Sequence, residues 1–259
     1  MPEPTSIVGA PCWVDLTSSD PHRVIPFYSG LFGWAADTNE DPQYGGYSIF
    51  SKDGKPIAGL GPQQEGNPYG NVWTVYLATE DAAATADKAA AAGGQVMMPA
   101  MVVGDQGTMA ILSDPAGAVV GVWQADQHRG FGLVDEAGAP VWFETMSRDY
   151  AAALPFYESV FGWRYDSIGD SDEFRYSQAK IGDEMVAGAM DAAGFLPEGV
   201  PSFWQFYVGV QDTDQALERV VELGGAVIRP AEDTPFGRLA AVADPLGANF
   251  QIASIQQQP

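Results

Sequence analysis

The chain has 259 residues, of which 46% are apolar and 18% charged, a composition that predicts globular domains with sizeable cores and excludes a disordered chain. Its 34 acidic residues outnumber its 12 basic residues, and the resulting net charge of −22 argues against nucleic acid or an anionic membrane as partner. No apolar run approaches the roughly 20 residues that a membrane-spanning helix needs.

The expected compartment is the cytoplasm. Cys12 is the single cysteine, which excludes an internal disulfide and fits a reducing environment. The first ten residues contain neither the basic stretch nor the apolar stretch of a secretory signal.

The first predicted elements are a short strand over residues 12–17 and the helix that follows it. Apolar and polar residues alternate along the strand, and Asp20 can cap the helix because its carboxylate accepts the free N–H groups of the first turn. The helix is predicted to end at Gly33. Segments rich in aromatic and β-branched residues then predict strands over 44–50 and 56–60.

A second strand and helix follow in the same order. Residues 73–79 predict a strand, and the alanine-rich helix after it is predicted to end at Gly93-Gly94. Two further strands are predicted over 108–112 and 118–124. The order is therefore βαβββ twice. Because strands outnumber helices and occur in runs, the fold class is predicted to be α+β rather than a doubly wound parallel sheet.

The whole set of elements returns in the second half of the chain. The sequence therefore predicts two copies of one domain, over residues 10–125 and 140–255, with a polar, glycine-bearing linker over 126–139. Four βαβββ modules result. The matching landmarks are Trp13 with Trp142, Asp20 with Asp149, Trp34 with Trp163, and Asp114 with Asp244.

These landmarks resemble the vicinal oxygen chelate superfamily, which includes glyoxalases, bleomycin resistance proteins and dioxygenases. The resemblance rests on the Asp-started helix with Phe-Tyr, then Leu-Phe-Gly-Trp, Gly-Gly and Asp-Pro-x-Gly, in both copies. The two-domain form is most similar to tandem actinobacterial members, including a mycobacterial antigen and accessory proteins of polyketide antibiotic pathways. The resemblance implies curved mixed sheets around clefts. Many members chelate a divalent metal there and others bind a drug without metal, so the resemblance does not select one activity.

The resemblance also assigns metal-ligand positions to the strands of each copy. The first position falls on Trp13 and Trp142, which cannot bind a metal. The second falls within 56–60 and 186–189, where neither a carboxylate nor an imidazole occurs.

The third and fourth metal-ligand positions likewise contain no histidine, carboxylate or thiolate side chain in either copy. A catalytic metal usually needs about three His, carboxylate or thiolate donors, so the expectation is a protein with no metal and no cofactor. The histidines His22 and His128 are interpreted as surface residues. The third and fourth positions hold Thr74 and Gly121 in the first copy, and Gln205 and Gln251 in the second.

Strand alternation predicts which side chains share a face with the two tryptophans. Residues i and i+2 point to the same face, so Asp15 accompanies Trp13 and Glu144 accompanies Trp142. An aromatic wall with one carboxylate suits a flat, partly polar molecule, and a carboxylate near a tryptophan also suits a cationic amine. The predicted ligand-binding set is completed by Thr74, Tyr76, Trp123, Gln205, Tyr207 and Gln251.

Structural roles stay open for the same residues. A strand tryptophan is as often core as ligand wall, so Trp13 and Trp142 could be buried. A buried carboxylate needs a partner, and Asp15 or Glu144 could pair with an arginine. The candidate partners are Arg148, Arg175 and Arg238.

Three functional hypotheses follow. The first is a metal-free protein whose clefts bind a small aromatic molecule, including a cationic one, for resistance, sequestration or an accessory biosynthetic step. The second is a metal-independent lyase, isomerase or hydroxylase-like enzyme that uses Asp15 or Glu144 as general base. The third is protein interaction, with clefts filled by side chains. The two copies are expected to pair within the chain, which would leave a monomer or a weak dimer.

Overall fold

The computed structural model describes residues 7–64, 70–171 and 173–255, and it contains four βαβββ modules in the predicted order. The first copy comprises β1 (Pro11–Ser18), α1 (Pro21–Phe32), β2 (Ala35–Thr38), β3 (Ser48–Lys52), β4 (Lys55–Pro62), β5 (Val72–Ala78), α2 (Ala82–Ala91), β6 (Gln95–Val103), β7 (Gly107–Ser113) and β8 (Val119–Ala125). The second copy comprises β9 (Pro140–Ser147), α3 (Tyr150–Phe161), β10 (Arg164–Asp170), β11 (Arg175–Ile181), β12 (Glu184–Asp191), β13 (Phe203–Val210), α4 (Thr213–Glu222), β14 (Ala226–Thr234), β15 (Gly237–Ala243) and β16 (Asn249–Ser254).

Each copy forms its own eight-stranded mixed sheet, which confirms the α+β class. The strand orders are β2-β3-β4-β1-β5-β8-β7-β6 and β10-β11-β12-β9-β13-β16-β15-β14. In the first sheet β1 runs parallel to β4 and antiparallel to β5, and β5 runs parallel to β8. The opening strands of the two modules therefore lie side by side at the centre of the sheet, which is where the candidate residues lie.

The helix signals in the sequence are confirmed at both ends of α1 and α3. The side chain of Asp20 accepts a hydrogen bond from the backbone of the first turn of α1, and Asp149 does the same for α3. Gly33 and Gly162 end these helices with φ values of 73° and 74°, in the left-handed region that glycine adopts without steric cost.

Two edge strands of the first sheet lie outside the predicted elements. β2 is a short polar strand, and β6 exposes most of its side chains, so neither shows the alternation that a half-buried strand needs. The strand predicted over 44–50 begins at Ser48, because Pro42–Tyr44 forms a short 3-10 helix capped by Asp41.

The two copies pack against each other through reciprocal contacts. Trp34 at the end of α1 donates its indole N–H to the carbonyl of Gly138, and Trp163 donates to the carbonyl of Gly9 in the same way. Phe206 of β13 packs edge-on against Trp73 of β5 with ring centroids 5.0 Å apart. The hydrophobic core is therefore continuous between the copies. Within the described ranges, none of the helices is long and apolar enough to cross a membrane.

Candidate functional site

The register of the first sheet brings Asp15 to its centre. Asp15 of β1 lies between Gly59 of β4 and Thr74 of β5. Trp13 lies two residues before Asp15, on the same face of β1. It pairs with Tyr76, which in turn pairs with Gly121 of β8. The structure thus gathers Trp13, Thr74 and Tyr76 around one carboxylate, while Trp123 lies beside Ala78 and His128.

The carboxylate of Asp15 is held by uncharged donors. Its Oδ1 accepts a hydrogen bond of 2.8 Å from the indole of Trp13 and another from the hydroxyl of Tyr47, and the hydroxyl of Tyr76 also bonds to this side chain. Burial raises the pKa of Asp15 to about 6, against the opposing effect of the hydrogen bonds from Tyr47, Trp13 and Tyr76. The group therefore changes its protonation close to neutral pH.

Tyr47 was missing from the predicted site, and a glycine explains how it reaches the acid. A Cβ on Gly59 would lie 1.8 Å from the Tyr47 hydroxyl oxygen and 2.1 Å from Asp15 Oδ1, so only a glycine leaves space for this contact. The second copy repeats the arrangement, since a Cβ on Gly188 would lie 2.0 Å from the hydroxyl oxygen of Tyr176. In both copies, therefore, a glycine within the segment that the resemblance assigns to the second metal ligand leaves a gap that a tyrosine fills.

The second sheet places Glu144 in the matching position with different neighbours. Glu144 of β9 lies between Gly188 and Gln205, and it is 5% exposed. Its Oε1 accepts hydrogen bonds of 2.6 Å from Gln205 Nε2 and from the Tyr207 hydroxyl. Gln251 extends this network by donating to Gln205 Oε1 at 3.0 Å. The predicted second-copy residues are therefore joined in one hydrogen-bonded chain.

The three arginines considered as partners of the acids bind other groups, so that interpretation is wrong. Arg148 donates to the backbone carbonyls of Leu196 and Val200. The other two form surface ion pairs: Arg175 with Asp170 and Asp191, and Arg238 with Asp214 and Asp233. Tyrosine, tryptophan and glutamine side chains satisfy the two cleft acids instead.

The two clefts differ in how far their aromatic walls are covered. Trp13 is 3% exposed, and Tyr76 and Trp123 are also buried. In the second copy Trp142 and Gln205 remain half-buried. Trp142 donates its indole N–H to the Tyr176 hydroxyl at 2.9 Å. The second cleft therefore presents its tryptophan to solvent, and the first does not.

The mouths of the clefts differ as well. In the first copy, the hydroxyl of Tyr44 donates to Asp105 at 2.9 Å, which joins the turn before β3 to the turn after β6. In the second copy the corresponding turns carry Phe174 and Phe236, which are 41% and 53% exposed. Both rings approach Tyr176, at centroid distances of 6.0 and 6.2 Å. The second mouth is therefore lined by exposed aromatic rings.

His128 is half-buried against the first cleft and not fully exposed, which corrects the sequence interpretation. Its ring packs edge-on against Trp13 with centroids 4.3 Å apart, because the linker crosses one end of the first cleft. Burial lowers the pKa of His128 to about 4, so the imidazole is neutral at physiological pH. No periodic signal marks this residue in the sequence, since the path of a linker is set by tertiary contacts.

The residues of neither cleft fit a divalent metal. Within the described ranges, no three His, Cys, Asp or Glu side chains converge on one point. Asp15 is surrounded by tyrosine and tryptophan, and Glu144 by tyrosine and amide groups. Hard divalent cations and zinc require more anionic or imidazole donors than either cleft supplies.

Two surface cavities of about 650 and 460 Å³ lie away from both acids. The larger lies between α1 and α4 and is lined by Lys52 and Arg219 among others. The smaller lies beside Cys12 and Trp123. Neither is lined by Asp15 or Glu144.

Comparison with known proteins gives matches along both copies. The sequence profile of the Glyoxalase/Bleomycin resistance protein/Dioxygenase superfamily matches residues 12–122 and 140–252. CFP32 of Mycobacterium tuberculosis, which is provisionally named a glyoxylase, is 40% identical over 248 residues, covering 94% of each chain. The anthracycline biosynthesis protein DnrV of Streptomyces peucetius is 37% identical over 265 residues, covering 96% of this chain and 94% of its own.

Solved structures share the fold at low sequence identity. The Mn(II)-bound glyoxalase of Novosphingobium aromaticivorans superposes with a TM-score of 0.65 at 16% identity, over 97% of this chain and 84% of that one. The 2,3-dioxygenase LapB of Pseudomonas sp. KL28 superposes with a TM-score of 0.64 at 13% identity, over 99% of this chain and 95% of that one. At these identities the likeness concerns the fold alone.

Proposed function

Because the chain belongs to the glyoxalase/bleomycin resistance protein/dioxygenase superfamily, we propose that it binds a planar polycyclic aromatic molecule, without a metal, in the cleft of its second copy. The role would be an accessory step or sequestration in the biosynthesis of an antibiotic-like compound. The relatives DnrV and DauV, both named anthracycline biosynthesis proteins, support this class of ligand. Anthracyclines combine a flat ring system with polar groups at its edge.

The observation that carries the proposal is the combination of Glu144 and an accessible aromatic wall. Glu144 and the amide of Gln205 form a polar floor, Trp142 is partly exposed beside it, and Phe174 and Phe236 stand exposed at the mouth. Clefts that bind small molecules usually combine aromatic walls with a few placed polar groups. Exposed phenylalanine rings cost free energy in water, and contact with a flat ligand would remove that cost.

The electrostatics of this cleft favour a ligand that carries a hydrogen-bond donor or an amine. Glu144 supplies a carboxylate at the floor of the cleft, and hydrogen bonds to ionised groups are stronger than neutral ones. The net charge of −22 would also raise the local concentration of a cationic ligand. Binding requires the rings at the mouth to move apart, because the cleft is closed over its floor in the present structure.

A catalytic role has one observation in its favour. Asp15 has a raised pKa and contacts two tyrosine hydroxyls, which is an arrangement that can move a proton. Asp15 is half-buried, but the ring of Trp13 beside it is covered by His128 and Phe131, so a flat substrate cannot stack on that ring. The binding role in the second cleft is therefore preferred, and absence of turnover with any anthracycline is the expected result.

The test uses daunorubicin, an amine-bearing anthracycline, as the probe in a calorimetric titration of the full chain. The Glu144→Gln variant keeps the shape of the side chain and removes its charge, and it should weaken binding by about tenfold. The matched control is Asp15→Asn, which makes the same change in the other copy and should leave the affinity within about twofold. Equal effects of the two substitutions, or none from either, would place the ligand elsewhere.

A further inference from the structure

The linker runs across the end of the first cleft and is bonded to it. The backbone N–H of Phe131 donates to the carbonyl of Cys12 at 2.9 Å, and that of Gly132 donates to the carbonyl of Pro56 at 2.7 Å. The N–H of His128 donates to the carbonyl of Gln106. Residues 127–132, called the strap below, are therefore attached to the starts of β1 and β4 and to the turn between β6 and β7.

Two side chains of the strap pack on the aromatic wall of the cleft. The His128 ring lies 4.3 Å from the Trp13 ring, and the Phe131 ring lies 5.6 Å from it. The indole of Trp123 donates to the backbone carbonyl of His128 at 2.8 Å. One heterocycle, one phenyl ring and one carbonyl of the strap thus contact Trp13 and Trp123, and an imidazole, a phenyl ring and a carbonyl are also the groups of a partly polar aromatic molecule.

The close approach of the strap depends on glycine. Gly130 has a φ of 97°, and a Cβ at this position would lie 2.4 Å from the carbonyl oxygen of Cys12. A Cβ on Gly132 would lie 2.6 Å from the ring of Pro56. The backbone is therefore pressed against β1 and β4 in a manner that a larger residue would prevent, which indicates a specific docked conformation rather than a passing contact.

The second cleft has no comparable occupant among the residues that the structure describes. Trp142, the counterpart of Trp13, has no aromatic ring stacked against it within that part of the chain and remains half-buried. Among the described residues, one tryptophan is therefore covered by the strap and its counterpart remains half-buried. This difference is the basis of the inference.

We propose that the strap is an internal ligand of the first cleft. The chain then binds one aromatic molecule, in the second cleft only. The proposal rests on the function proposed above. His128 and Phe131 are the groups that cover Trp13, and their removal creates a second site for the same class of planar ligand beside Trp13.

The first experiment measures stoichiometry by calorimetric titration with daunorubicin. The wild type should bind one molecule per chain, and a His128→Ala/Phe131→Ala variant that keeps a cooperative thermal transition should bind two. His22→Ala, which truncates the exposed histidine of α1, is the control and should still bind one. Two molecules bound by the wild type, or one bound by the folded double variant, would overturn the proposal.

A second experiment tests the role of the strap independently of the proposed function. Imidazole alone should refill the space left in His128→Ala and raise its melting temperature, while leaving the wild type unchanged, since a ligand of the folded state stabilises by mass action. If daunorubicin binds none of the variants, the proposed function fails and the imidazole titration decides the strap by itself. A His128→Ala chain that does not respond to imidazole would then overturn the internal-ligand assignment.

Discussion

Tyr28 donates a hydrogen bond of 3.1 Å to Asp244, although one residue lies in the first copy and the other in the second. The reciprocal bond runs from Tyr157 to Asp114 at 3.0 Å. Each aspartate begins an Asp-Pro-x-Gly turn, and Asp114 also accepts the backbone N–H of Ala118 within that turn. The motif that marks a turn in the sequence therefore also joins the two copies.

Removing this bond should destabilise the whole chain. Tyr157→Phe deletes a buried hydroxyl that donates to Asp114 and accepts from the indole of Trp204 at 2.8 Å, so two buried groups lose a partner. The expected loss in free energy of unfolding is about 2 kcal/mol, measured by urea denaturation. Tyr44→Phe removes the hydrogen bond at the first mouth and should cost much less, because solvent replaces that exposed bond. Similar losses from the two substitutions would argue against a strong interface bond.

Asp15 should impose a pH dependence on stability. Its pKa rises from 3.8 to about 6 on folding, chiefly through burial, so the folded state favours the protonated acid. Wild-type stability should therefore fall as the pH rises from about 4 to about 6, and stay low above that range. Asp15→Asn should remove this loss.

The measurement is the difference in unfolding free energy between wild type and Asp15→Asn as a function of pH. Because other titrating groups are common to both chains, they cancel in this difference. The variant should gain on the order of 1–2 kcal/mol relative to wild type between pH 4 and pH 7, a figure reduced for partial exposure of the carboxylate. Parallel stability curves would show that the Asp15 pKa is not raised.

Adding a single methyl group at Gly121 should destabilise the chain. A Cβ at this position would lie 2.2 Å from the ring of Tyr76, so Gly121→Ala must displace a buried tyrosine. The expected cost is about 1–3 kcal/mol, seen as a lower denaturation midpoint. At Gly194 an added Cβ would have no atom within 4 Å, and Gly194→Ala is the control. A loss no larger than that of the control would mean that the Tyr76 ring is loosely packed.

Divalent ions should neither copurify with the chain nor stabilise it. The cleft residues offer one carboxylate per copy, and the segments 56–60 and 186–189 that face it contain neither a carboxylate nor an imidazole. Elemental analysis should find no stoichiometric metal. The melting temperature with Mn, Fe, Ni or Zn should equal the melting temperature with EDTA. An increase in melting temperature that EDTA reverses would show that the two acids and their amide neighbours suffice for a metal site.

Much of the fold could be predicted from the sequence because the signals for its elements are local. The repeated Trp13 and Trp142, the capping residues Asp20 and Asp149, and the glycine at the end of α1 fix elements through neighbours a few residues away. Strand alternation likewise placed each acid on the same face as its tryptophan. The edge strands β2 and β6 lacked such signals because their side chains are mostly exposed.

The composition of the site was harder to predict because it depends on contacts between distant segments. Tyr47 reaches its acid from the residue before β3, and Tyr176 lies on β11, across glycines whose role is visible only once the strands are in register. His128 reaches Trp13 because the linker folds back over the first copy. Sequence patterns describe faces of single elements, and neither contact lies within one element.

The single linker has a consequence for how such proteins diverge after duplication. In a symmetric dimer of separate chains, every substitution occurs in both clefts, so one cleft cannot be given up without the other. Fusion of two copies removes that constraint, because the segment that joins them exists only once and its His128 packs on Trp13 and Trp123 of the first cleft. One ancestral binding site can then become part of the scaffold while its twin keeps evolving toward new ligands.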